Sequence, residues 1–243
     1  MGVRKFDSRD RPTLGPSVGG TALWDSGKRT PLLSDDERAR LSVIASVVRY
    51  NKGMKIYREG HVADAVFNIV SGLVKAYRTL PGGTEHITAF LFADDWFGLP
   101  EEGRYVNSAK AVTVVTAYRV PVAAMESQLQ RDATLDFHVI AKLCHELREA
   151  QRHAILLGRR SAVARVAMLL QLLERHQKAR GENTHELYLP MSRSDVASYV
   201  GMSLEAVSRS LRTLASRGVI SFKGRRYLEV VDRAHFEALA VER

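Results

Sequence analysis

The sequence predicts an α+β protein in three consecutive parts: an antiparallel barrel or jelly roll, a long helix, and a winged helix-turn-helix. Three observations lead there. From Leu41 to about Val122, short apolar runs are separated by turn signals at Asn51-Lys52-Gly53, Glu59-Gly60, Ser71-Gly72, Pro81-Gly82-Gly83 and Glu102-Gly103. From about Met125 to Leu157 no glycine or proline interrupts the chain, and apolar or small residues recur roughly every 3.5 positions. From Leu189 to Val231 two helical segments, each led by a serine, flank Gly201 and run into an arginine-rich hairpin.

The apolar runs are short, β-branched or aromatic, and regularly punctuated, which suits a closed or doubled antiparallel sheet better than a helical bundle. Expected strands are KIYRE from Lys55, AVFNIVSG from Ala65, LVKAYRTL from Leu73, EHITAFLF from Glu85 and AKAVTVVTAYRVP from Ala109. The uninterrupted stretch that follows predicts one continuous helix whose stripe comprises Leu129, Phe137, Ile140, Leu143, Cys144, Leu147, Gln151 and Ala154. A helix of about 30 residues extends roughly 45 Å, too far for one small barrel to cover, so the stripe reads as the seam of a parallel homodimer. Gly158 breaks it. A shorter helix from Ser161 carries Val163, Val166, Ala167, Leu170 and Leu173 as a core face.

In the last part, Ser192 or Ser194 can cap a helix ending near Val200 with Val196, Ala197 and Val200 inward, and Gly201 stops it. Ser203 caps the next, in which Val207, Leu211 and Leu214 form the buried side and Glu205, Ser208, Arg209 and Arg212 the polar one. Arg217-Gly218 ends that helix, and VISF and YLEVV flank a turn at Lys223-Gly224 beside Arg225 and Arg226. Such an arrangement implies a helix that enters the major groove of double-stranded DNA and a ribbon that meets phosphates. The domain division read from this pass is a tail over 1–31, rich in Gly, Pro, Ser and charge, a barrel over 32–125, a dimerisation helix over 126–158 and a DNA-binding domain over 159–243.

Charge agrees with that division. The formal net charge is +9, yet residues 32–158 hold 15 basic and 15 acidic side chains, while 159–243 hold 15 against 9 and 1–31 hold 6 against 3. A neutral module joined to a basic one is what counterion release from polyphosphate favours. The single cysteine, Cys144, excludes an internal disulfide and an iron–sulfur cluster held by one chain. No apolar run approaches the roughly 20 residues needed to cross a bilayer, and the first 20 residues hold no secretory-type apolar stretch. The protein is therefore read as cytoplasmic, without a membrane partner.

The same residues resemble the Crp/Fnr superfamily of bacterial transcription regulators over about residues 32–243. The resemblance rests on Gly53, Tyr57, Glu59-Gly60, Asp64, Phe67, Ile69, Gly72 and Val74; on Phe97-Gly98 with Ser108-Ala109; and most specifically on the helix-turn-helix. Glu205-Ala206-Val207-Ser208-Arg209 matches the E-x-x-S-R signature of the FixK and Fnr branches. The resemblance implies a cyclic-nucleotide-binding-like β-roll, a homodimer, activation of transcription with RNA polymerase as a partner, and a TTGA-N6-TCAA-like palindrome. Cyclic-nucleotide-binding members carry Gly-Glu and then Arg-Ser or Arg-Ala in the phosphate cassette; here the positions read Gly98-Leu99 and Asn107-Ser108, with Arg104 and Lys110 the remaining cations nearby. Without that glutamate and arginine no cyclic nucleotide is expected, and no cofactor or metal is assigned.

Arg209 can donate bidentately to a guanine and Glu205, four residues earlier on the same face, can accept from a cytosine. Leu204 suits a thymine methyl and Ser203 and Ser208 a base or phosphate, whereas Arg193, Arg212, Lys223, Arg225 and Arg226 are assigned to phosphates. His145, Glu149 and His153 share a helical spacing that reads as a solvated face rather than a metal site. An enzyme is the least favoured class, since no nucleophile, base and oxyanion set is visible. The alternative function is a sensor whose barrel binds a small effector, or haem through His61 and His86.

Overall fold

The computed structural model describes residues 43–131, 133–159, 161–181 and 186–241, with the side chains of 133–138, 142, 145, 240 and 241 excepted. The expected tail over 1–31 lies outside the described residues. The chain divides into two compact units, Met1–Arg78 with Ala89–Arg148, and Thr79–Thr88 with Glu149–Arg243.

The barrel strands are β1 (Ser46–Tyr50), β2 (Lys55–Tyr57), β3 (Ala65–Ser71), β4 (Val74–Thr79), β5 (Glu85–Leu91), β6 (Trp96–Phe97), β7 (Pro100–Glu101), β8 (Arg104–Tyr105), β9 (Ser108–Ala111) and β10 (Val115–Pro121). They form two four-stranded sheets, ordered β1-β10-β3-β6 and β2-β9-β4-β5, and a β7-β8 hairpin. Alternating residues of both sheets, among them Val48, Phe67, Ile69 and Ala117 from one and Val74, Ala76, Ala109 and Ala111 from the other, meet in one buried core.

The run expected as one long strand from Ala109 is two strands, because the chain passes from one sheet to the other at Val112–Val114. That passage is tied by Val112 N–H donating to Leu73 O at 2.8 Å and Leu73 N–H donating to Thr113 Oγ1 at 2.9 Å. It also fixes Gly72, which sits at φ +98° and whose added Cβ would lie 2.3 Å from Val114 O.

The continuous helix expected from Met125 is likewise two, α1 (Val122–Leu129) and α2 (Ala133–Gly158). Met125, Val122 and Leu129 of α1 are taken up by a cluster around Val66 and Val120 on the barrel, against which Val139 near the start of α2 also packs. Leu129 thus packs on its own chain, and the exposed stripe begins later. On α2, Ile140, Leu143 and Leu147 are 56%, 46% and 60% exposed, and Cys144, Gln151 and Ala154 are exposed as well. Phe137 lies outside the residues whose side chains are described. Ile155, 57% exposed, extends the apolar surface beyond the expected set.

In the second unit, α3 (Ala162–Ala179) is the central element. Ser161 caps it by accepting from Ala164 N–H at 3.2 Å, and its buried Val166, Ala167, Leu169, Leu170 and Leu173 pack with α4 (Arg193–Val200), α5 (Leu204–Ser216) and α6 (Arg233–Val241). A three-stranded sheet, β11 (Leu187–Tyr188), β12 (Ile220–Phe222) and β13 (Tyr227–Val230), ordered β11-β13-β12, forms the wing. Ser198 on α4 accepts from Ile87 N–H at 2.9 Å and donates to Glu85 O at 2.8 Å, which binds Thr79–Thr88 into this unit. Helix α6, not among the elements expected from the sequence, is capped by Asp232, whose carboxylate accepts from His235 N–H at 3.0 Å, and it buries Phe236 completely. Arg233 on α6 donates to Glu174 Oε2 on α3 at 2.8 Å, and Lys178 lies 3.2 Å from the same carboxylate.

Candidate nucleic-acid interface

The helix-turn-helix is fixed at each end by its own sequence. Of the two candidate caps for α4, Ser192 is the one used: its hydroxyl accepts from Asp195 N–H at 3.0 Å while Asp195 Oδ2 accepts from Ser192 N–H at 3.2 Å, a reciprocal capping box. Gly201 ends the helix in the left-handed region at φ +63°, where a Cβ would also meet Leu157 Cδ2 at 3.0 Å. Two residues later Ser203 caps α5 by accepting from Ala206 N–H at 3.2 Å.

Helix α5 has two opposed faces. Val207, Ser210, Leu211 and Leu214 are buried, so the helix is held by one side alone. Ser203, Leu204, Glu205, Arg209 and Arg212 are exposed, Leu204 by 45% despite being apolar. The Glu205 carboxyl is held below the usual carboxylate range by its own backbone N–H and the Ser203 hydroxyl, with the Arg209 charge adding to them. It is therefore an anion at neutral pH, able only to accept. Ser208 donates to Leu204 O at 2.9 Å, leaving its oxygen lone pairs as the group it can offer outward.

The five residues assigned to phosphates differ in how they are engaged. Arg212 and Arg225 are exposed and bond to none of the described residues. Lys223 is 2.9 Å from Glu229 across the wing, a pair that holds its ammonium pKa above the ordinary value. Arg226 donates to Pro190 O at 3.1 Å, tying the wing turn to the segment that leads into α4. Arg193 is half-buried, its pKa lowered by desolvation, and its Nη1 has no hydrogen-bond partner among the described residues. Of these five, Arg212 and Arg225 thus carry exposed charge that no described residue engages.

Two residues outside the set expected for this region complete its frame. His153, expected on a solvated face, is buried: its ring stacks on Tyr199 at a centroid distance of 4.0 Å, and Nε2 is 2.7 Å from Tyr199 O. Arg165 donates from Nε to Arg159 O at 2.7 Å and from Nη1 to Gly201 O at 3.3 Å and Val200 O at 3.4 Å. No local pattern marks either one, because the α4-end carbonyls they hold lie some 35–46 residues further on.

Within the barrel, the cassette positions are engaged with the barrel itself. Tyr57 and Tyr105 stack at 3.9 Å, Tyr57 also stacks on Phe67 and Phe97, and the Tyr57 hydroxyl donates to Asn107 Oδ1 at 3.1 Å. Ser108 Oγ accepts from Glu59 N–H at 3.0 Å, and Arg104 donates to Gly60 O at 2.7 Å. Burial raises the Tyr57 pKa well above the ordinary phenol value.

Comparison with known proteins accords with both halves. Residues 164–239 match the Crp-like helix-turn-helix domain and residues 47–132 the cyclic nucleotide-binding domain. The chain is 32% identical over 209 residues to the nitrogen fixation regulation protein FixK of Azorhizobium caulinodans, covering 84% of each chain. It is 34% identical over 203 residues to the transcriptional activatory protein AadR of Rhodopseudomonas palustris, covering 81% of this chain and 82% of that one. The solved structure of FixK2 from Bradyrhizobium japonicum aligns with a TM-score of 0.76 at 32% identity, covering 82% of this chain and 99% of that one. With a fold, a helix-turn-helix and full-length relatives all in agreement, the chain belongs to the FixK/Fnr branch of the Crp-like transcription regulators.

Proposed function

We propose that the protein is a sequence-specific DNA-binding activator of transcription that binds a TTGA-N6-TCAA-like palindrome as a homodimer and works with RNA polymerase in the cytoplasm. The observation that carries this reading is α5, where Ser203, Leu204, Glu205 and Arg209 project from a helix anchored by Val207, Leu211 and Leu214. In this reading Arg209 donates to a guanine, Glu205 accepts from a cytosine, Leu204 meets a thymine methyl, and Ser203 and Ser208 meet a base or phosphate. Arg193, Arg212, Lys223, Arg225 and Arg226 lie along the phosphates, of which Arg212 and Arg225 need break no existing bond to do so.

The dimer seam is formed by Phe137, Ile140, Leu143, Cys144, Leu147, Gln151 and Ala154, since three large aliphatic side chains each about half exposed are a surface that a second copy would cover. The division of the chain at about residues 31 and 158 follows from the same reading, while the one expected at 125 falls within α1, which packs on the barrel. The protein acts without cyclic nucleotide: where nucleotide-binding members carry a glutamate and an arginine for the phosphate this chain has Leu99 and Asn107, and the Asn107 carbonyl oxygen is already taken by the Tyr57 hydroxyl.

The experiment is fluorescence anisotropy of the purified full chain with a labelled palindromic duplex and a random duplex, without additives. Preference for the palindrome by at least about a thousandfold supports the reading, that being the lower end of specific over non-specific affinity. Equal affinity for both duplexes, or preference appearing only after a small molecule is added, overturns it.

A further inference from the structure

Helix α4 is eight residues long, and its last carbonyls have no partners within the helix. Three successive ones, on Tyr199, Val200 and Gly201, are taken from outside: the first by His153 near the end of α2, the other two by Arg165 on α3. Arg165 also donates from Nε to Arg159 O, in the link between α2 and α3. Leu157 closes the fourth side, in contact range of the Gly201 backbone. The negative end of the α4 dipole suits the permanent guanidinium charge there.

We propose that His153 and Arg165 are positioning residues for DNA reading: together they clasp the turn Tyr199–Ser203 and so set the direction in which α5 leaves it. The geometry makes the effect selective. Ser203 caps α5 two residues after the clasped Gly201, so the turn is the base about which α5 would tilt. Arg209 lies six residues beyond Ser203, about 9 Å along the axis, and a tilt of about 20° would carry it roughly 3 Å, beyond the tolerance of a bidentate contact. Contacts of flexible cations with phosphates survive such a shift. The proposal rests on the DNA-reading function argued above.

The test compares wild type with Arg165→Lys, which keeps the charge but not the fork, with His153→Leu, which keeps the bulk but not the donor, and with His153→Gln, which restores a donor. Each full-length variant is titrated with the palindromic and the random duplex, and hydrogen exchange is followed for peptides spanning residues 199–206. The expected result for Arg165→Lys and His153→Leu is a fall of about tenfold in the ratio of palindrome to random affinity, the scale of one hydrogen bond lost. Exchange over 199–206 should accelerate by a similar factor, and His153→Gln should stay near wild type on both readouts. Ratios within twofold of wild type with unchanged exchange overturn the proposal, as does an equal loss for both duplexes accompanied by a lowered unfolding temperature. If wild type itself fails to prefer the palindrome, the function reading fails, and hydrogen exchange alone then decides whether the clasp exists.

Discussion

Arg209→Ala is the substitution whose outcome separates base reading from simple charge attraction. Arg209 is exposed, sits one turn after Glu205, and supports none of the buried packing of α5, which runs through Val207, Ser210, Leu211 and Leu214. Its removal should therefore leave the fold intact, since surface changes away from such features stay within about 0.5 kcal/mol. A bidentate arginine–guanine contact is worth about 1–3 kcal/mol, and a symmetric dimer makes it twice, so specific affinity should fall between roughly 30-fold and ten-thousandfold. Affinity for random duplex should hardly change. Arg225 supplies the contrast, as it is exposed and unpaired among the described residues but lies on the wing. Arg225→Ala should weaken every duplex alike and flatten the dependence of log K on log salt by about 0.9 per contact, or nearly two per dimer. The assay is anisotropy at two or more salt concentrations against the palindrome, a palindrome substituted at the guanine, and random duplex. Equal loss for all three duplexes with Arg209→Ala would show that Arg209 meets the backbone, and the reading of α5 would be wrong.

Three further outcomes are expected. Replacing Ile140 and Leu147 together by aspartate places unpaired charge in the seam, a cost of several kcal/mol, and should yield monomers in sedimentation; a dimer would put the seam elsewhere. Glu174→Gln should destabilise the second unit by about 1–3 kcal/mol in urea, less than for a fully buried pair because Arg233 and Lys178 are 42% and 48% exposed. Although burial raises the Glu174 pKa, the bonds from Arg233 and Lys178 outweigh it and the net shift is downward, so this contribution is present above the ordinary carboxylate pKa and lost as pH falls through the depressed one. The difference between wild type and Glu174→Gln should accordingly shrink below about pH 4.5 and stay constant above it; a difference that grew in acid would reverse the assignment. Calorimetry with cyclic AMP should show no micromolar binding, and binding of that strength would overturn the inference drawn from Leu99 and Asn107.

The winged helix-turn-helix was legible in the sequence because its determinants are local. A cap serine, a glycine that tolerates a positive φ, and aliphatic residues three and four apart act within a few residues of themselves, so Ser203, Gly201 and the Val207–Leu211–Leu214 face could be assigned by inspection. The longer barrel strands β3, β4 and β5 were legible for the same reason, whereas β1 lies before the first turn signal and the two-residue strands β6, β7 and β8 hold too few residues to show a pattern. The passage between sheets at Val112–Val114 was not legible, because the residues there are β-branched like their neighbours and only the other sheet decides where pairing stops. The break between α1 and α2 was hidden similarly: Met125 and Leu129 fit a helical period, but the barrel cluster of Val66 and Val120 claims them. His153 and Arg165 show the limit most clearly. Each is an ordinary polar residue on a helix, and what distinguishes it is the row of backbone carbonyls at the end of α4 that tertiary folding brings within its reach. Periodicity reports which side of a helix is apolar; which backbone groups lack partners, and what reaches them, exists only once the chain has folded.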